Sequence, residues 1–137
     1  SRGLGDVYKR QLDNLAALRG LLGDTEGALS AAEAAVERLP EPDGARASAL
    51  SNLAAALYGV GSHEHAARAA AEAIEIIEAP TQTRILALFN LALARAATGE
   101  SDEAVALLRT AIDLNPGQNE PLPQIIDCYE RLTAPMG

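Results

Sequence analysis

Residues 50–78 read LSNLAAALYGVGSHEHAARAAAEAIEIIE. Leu50, Leu53, Ala54 and Leu57 recur at the spacing of one face of an α-helix. The pattern stops at Gly61, the residue type suited to the left-handed position just past a helix end. Ser62 follows at once, a side chain able to accept from the open N–H groups of a new first turn. Glu64 then complements the positive end of that helix, and an alanine-rich run carries it towards Pro80. The stretch therefore predicts two antiparallel helices with a tight turn between them.

The same sentence is written twice more. LDNLAALRGLLGDTEGALSAAEAAVERLP (12–40) and LFNLALARAATGESDEAVALLRTAIDLNP (88–116) align with it without gaps. The step is 38 residues each time, as Leu12, Leu50 and Leu88 show. Asn14/Asn52/Asn90, Gly23/Gly61/Gly99, Ala28/Ala66/Ala104 and Ala35/Ala73/Ala111 keep the same step. In the other units the second helix is expected to start from Asp24/Thr25 and from Ser101. Small residues on both helices let the backbones approach closely. One such hairpin cannot bury its apolar side alone, so successive hairpins must stack.

The pattern L-x-x-L-A…G-[DSE]…A…A…P, carried by Leu15, Ala16, Gly23, Asp24, Ala28, Ala35, Pro40 and their equivalents, resembles the tetratricopeptide repeat. That unit has about 34 residues. Four more lie here between units, within 41–48 and 79–86, and are read as an extra N-terminal turn on each first helix, capped by Asp43 or Thr81. Such longer repeats with L-x-N-L-A resemble those of kinesin light chains and bacterial signalling proteins. The fit is weaker where the family favours an aromatic: Arg19, Leu57 and Arg95 stand at one such place, and Ala32, Ala70 and Leu108 at the other. The expected fold is all-α, a right-handed α-solenoid of stacked antiparallel helix pairs. It comprises three tetratricopeptide units (12–40, 44–78, 81–116) and a terminal helix (119–133), in one domain over 12–137. The last helix, on which Leu122, Ile125 and Tyr129 take the buried places, is either a cap or the start of a truncated repeat.

What the resemblance implies for function is a groove lined by the first helices. Its candidate partner-binding residues are Asn14, Ser48, Ser51, Asn52, Tyr58, Leu86, Phe89, Asn90 and Leu93. Asn14, Asn52 and Asn90 form an equally spaced set of amides. They would hold a peptide backbone in register or, alternatively, bond within the helix stack. Phe89 with Leu86 and Leu93 is either an anchor for a partner side chain or packing against the next helix. A clamp for a partner's C-terminal carboxylate, which some members build from groove Lys and Arg, is disfavoured.

Composition narrows the remainder. The formal net charge is −8, with 19 acidic against 11 basic residues. This argues against nucleic-acid binding, whose affinity comes from neutralising phosphates. It also predicts an acidic groove, suited to a basic or neutral peptide. No apolar run approaches the ~18 residues of a membrane span. A single cysteine, Cys128, allows no internal disulfide and is expected to be small, buried or half-buried packing. His63 and His65 lie two apart, on different sides of a helix, which disfavours a shared metal. There is no Ser-His-Asp set, phosphate loop or paired carboxylate, so neither enzyme activity nor a metal or cofactor is expected.

Residues 1–11, SRGLGDVYKRQ, match nothing in the repeat and hold the sole lysine, Lys9. They resemble the in-frame translation of a DNA-sequencing adapter. Native sequence is therefore expected from about Leu12, as a fragment of a larger bacterial regulatory or signalling protein of metagenomic origin, located in the cytoplasm. The leading expectation is a scaffold for protein–protein interaction that binds a peptide or partner protein in its groove. The alternative is an assembly module that packs against its parent domains or self-associates through the exposed end of the solenoid.

Overall fold

The computed structural model describes residues 25–115 and 122–135. These form helices α1 (Thr25–Glu37), α2 (Gly44–Gly59), α3 (His63–Glu75), α4 (Thr81–Ala97), α5 (Ser101–Leu114) and α6 (Leu122–Thr133), with no strand among the described residues. Residues 12–24, where the first helix of the first unit is expected and which include Asn14 and Gly23, lie outside them, as do residues 1–11.

Each helix packs on the one before it, and α2 also lies against α4. The second contact makes this a stack of pairs rather than a chain of hairpins. The alanines determine the spacing. Ala54, Ala66, Ala70, Ala73, Ala92, Ala104 and Ala111 show no exposed surface. A methyl side chain at each crossing lets the backbones approach closely, and any larger group would have to displace a neighbour.

The apolar interior runs as three adjoining clusters. One, at the α2–α3–α4 junction, holds Ala47, Leu50, Ala73, Ile76 and Ala87. A second joins Ala54, Ala66, Ala67, Ala69, Ala70, Leu91 and Ala94. The third, around α4, α5 and α6, contains Ile85, Leu88, Leu108 and Ile125. Ile74 borders all three. Volume grows along the chain: Ala47 and Ala70 become Ile85 and Leu108 one unit later, all four fully or almost fully buried.

Of the expected turns, the two that fall within the described residues are formed. Gly61 and Gly99 adopt φ of 85° and 87°. At the first, Gly61 N–H donates to the Tyr58 carbonyl (3.0 Å) and Ser62 N–H to Leu57 (2.9 Å). At the second, Gly99 donates to Ala96 (3.1 Å) and Glu100 to Arg95 (2.8 Å). This paired closure satisfies two of the terminal carbonyls of each first helix, and the left-handed position it requires suits a residue with no Cβ.

The helix starts differ from expectation. Asp43 caps α2 as foreseen, its Oδ1 accepting from Arg46 N–H at 3.1 Å. Thr81 does not cap α4; Pro80 takes that place, at φ −60° and ψ 152°. Ser62 stands at the cap of α3 without a side-chain bond, and Ser101 already lies inside α5, whose cap is Glu100. The turns from Gly61 and Gly99 are short enough to fix the entry of the next helix, so no capping side chain is needed to define it.

Candidate functional site

The extra turn on each first helix carries an arginine that reaches back to the helix before it. Arg46 Nη1 donates to the carbonyls of Val36 (3.2 Å) and Leu39 (2.8 Å), at the end of α1. Its Nη2 pairs with Glu72 Oε2 on α3 at 3.1 Å. Arg84, 38 residues on, does the same at the end of α3. Its Nη1 donates to Ile74 (2.9 Å), and its Nη2 to Ile76 (3.1 Å) and Ile77 (3.4 Å). Val36 and Leu39 are one repeat before Ile74 and Ile77, so donor and acceptors recur together. The last carbonyls of a helix have no partner within it, and they form the negative end of its dipole. A planar guanidinium with several donors suits such a cluster. The side chain of Ile77, 85% exposed, serves no packing purpose; its carbonyl is what the fold uses. The sequence reading saw the four added residues but missed these arginines. The signal available was an arginine in each inserted turn at the repeat step.

Beside these junctions α2 and α4 expose matching stripes. Ala45, Ser48, Asn52, Ala55 and Gly59 are exposed or half-buried on α2, as are Thr83, Leu86, Asn90, Leu93 and Ala97 on α4. Each member of the second set lies 38 residues after its counterpart. Asn90 ties the two helices together: its Nδ2 donates to the Ser51 carbonyl (3.0 Å) and is 3.1 Å from Ser51 Oγ. Of the alternatives for this amide, the bond observed is one within the stack. Ser51, 3% exposed, belongs to the seam beneath the stripes rather than to the open face on which the sequence placed it, because α4 covers it. One unit earlier the partner equivalent to Ser51 is Asp13, beyond the described residues, as is Asn14.

The stripes of α2 and α4 carry no acid, whereas α6, the next first-type helix, exposes Asp127 and Glu130. Neither α2 nor α4 contains Asp or Glu. Among the described residues the acids sit on the second helices (Glu26, Glu33 and Glu37 on α1, Glu64, Glu72 and Glu75 on α3, Asp102, Glu103 and Asp113 on α5), in the connecting segments (Glu41, Asp43, Glu78 and Glu100) and on α6 (Asp127 and Glu130). The third arginine of the first helices, Arg95, turns to that side, 3.2 Å from Glu100 and 3.4 Å from Glu103.

The aromatic candidates are half-buried, each packed against the core. Phe89 is half-buried against the cluster that includes Ile125 of α6. Tyr58 borders the central alanine cluster, with its ring centroid 5.2 Å from that of His63. Leu86 is 37% exposed and Leu93 half-buried. On α6, Ile125 is fully buried and Tyr129 half-buried, its hydroxyl accepting from Arg109 Nη2 at 2.8 Å. Cys128 is half-buried, and burial pushes its thiol pKa up, with Arg131 opposing and Asp127 adding to the shift. Among the described residues no three His, Cys, Asp or Glu side chains are grouped as a metal site would need. No helix among them is long and apolar enough to cross a membrane.

Comparison with known proteins places this arrangement. Residues 85–118, which take in α4 from Ile85 onward and all of α5, match the tetratricopeptide repeat. Among solved structures the chain is similar to the type III secretion translocator chaperone SycD of Yersinia enterocolitica. The TM-score is 0.66 at 20% identity, over 90% of this chain and 81% of that one. At that identity the likeness concerns the fold. No curated protein matches the sequence.

Proposed function

We propose that this chain, in which residues 85–118 are a tetratricopeptide repeat and the preceding helices stack in the same way, is a non-catalytic protein-interaction module. It receives a polypeptide segment of another protein along the exposed stripes of α2 and α4. The observation that carries this reading is the pair of stripes itself. Two helices in contact offer equivalent open positions in register, with Leu86 and Leu93 rising between small side chains. A segment laid across them meets the same chemistry at successive steps. The role of SycD as a translocator chaperone fits the same use of this fold. We read the module as the recognition part of a larger bacterial regulatory or signalling protein working in the cytoplasm.

The test begins with random peptides selected on the immobilised chain. Enriched peptides are then measured against the Ala55→Glu/Leu86→Glu double variant, whose altered positions are open to solvent. An affinity loss of at least about tenfold, with the melting temperature unchanged, supports the reading. Equal affinity for both proteins moves the site elsewhere. A dimer in sedimentation that the same substitutions dissociate favours self-assembly instead. Asn90→Ala reports separately on the amide: lowered melting temperature with unchanged peptide affinity makes it a tie between helices only.

A further inference from the structure

We infer that the segment held by this face is itself uncharged along its contacting side, an apolar and amide-bearing stretch rather than the basic one the net charge suggests. This rests on the binding face proposed above. Every acid-free helix here is a first helix, and its arginines are all spent elsewhere. Arg46 and Arg84 are held by main-chain carbonyls, and Arg95 lies beside Glu100 and Glu103. The exposed or half-buried side chains of the stripes are Ser48, Asn52 and Ala55 on α2, and Leu86, Leu93 and Asn90, the last bonded to Ser51, on α4. An ionised side chain brought onto this surface would lose water and meet no free counter-charge on α2 or α4. A face built this way discriminates against charge of either sign, while its leucines gain from apolar contact. The carboxylates of α1, α3 and α5 belong to the other helix of each pair, and the exposed charges of α6, Asp127, Glu130 and Arg131, lie on neither α2 nor α4, with Asp127 already paired to Arg131 at 3.0 Å.

The experiment titrates the ¹⁵N-labelled chain with three pools of equal-length peptides, acetylated and amidated at their ends. One pool draws on Leu, Ile, Ala, Ser, Asn and Gln; the second adds Lys and Arg throughout; the third adds Asp and Glu. The uncharged pool is expected to shift the amides of α2 and α4 at concentrations at least about tenfold lower than either charged pool. Its affinity should stay within about twofold between low and high salt. Leu86→Glu should weaken the uncharged pool and strengthen the Lys/Arg pool. If the Lys/Arg pool moves the same amides most strongly, with salt-sensitive affinity, the inference falls and the binding face stands. An Asp/Glu pool that binds best has the same consequence. If no pool moves these amides, the binding face falls with it.

Discussion

Arg84 is the residue on which the unit junction turns. Its guanidinium satisfies carbonyls that α3 cannot satisfy itself. Arg84→Met keeps the apolar stem and removes the donors, so the Ile74 carbonyl loses this bond and Ile76 keeps only the N–H of Ala79 at 3.2 Å. The expected loss is about 1–3 kcal/mol, read from urea unfolding, and Arg84→Lys should recover only part of it because an ammonium lacks the planar fork. Arg46→Met should behave alike. At Cys128 the expectation concerns pH. Burial favours the neutral thiol, so its pKa lies above the ordinary value and less thiolate is present at any given pH near neutrality. Alkylation by iodoacetamide at pH 8 should be slower than for an exposed cysteine, with the rate still climbing at higher pH. Neither role is legible from residue type alone. An arginine in a helix shows which donors it has, but the carbonyls it meets are fixed only when α3 and α4 dock.

At the scale of the element, helix ends were more legible than helix starts. Gly61 and Gly99 announce themselves because a left-handed position has few other occupants. Starts are ambiguous because Ser, Thr, Asp, Glu and Pro all serve there, and the short turn decides the register before any side chain does. Hence Pro80 and Glu100 hold the places that residue type alone assigns to Thr81 and Ser101. The crossings were legible through the recurring alanines. Ala66 has no exposed surface and sits in the central cluster. Ala66→Leu should overpack that crossing and cost about 1–3 kcal/mol, lowering the melting temperature, whereas Ala55→Leu on the open side should leave it nearly unchanged.

Across the described helices, α2 and α4 carry no acid while α1, α3 and α5 each carry several and α6 carries Asp127 and Glu130. A net charge of −8 suggested an acidic binding surface, yet the described acids fall outside α2 and α4. Composition counts charges without placing them; here placement follows from which helix of each pair supplies the open stripe. Concentrating like charge on the second helices opposes compaction. The melting temperature should therefore rise as sodium chloride goes from about 10 mM to about 150 mM, as screening shortens the reach of that repulsion. A falling melting temperature would assign the exposed Arg–Glu pairs the larger share. Because Arg84 and the carbonyls it grips both lie within one 38-residue period, each period brings its own fastening. Splicing a duplicate of 62–99 in after Gly99 would thus lengthen the protein by whole cassettes, every added seam arriving with the rivet that closes it.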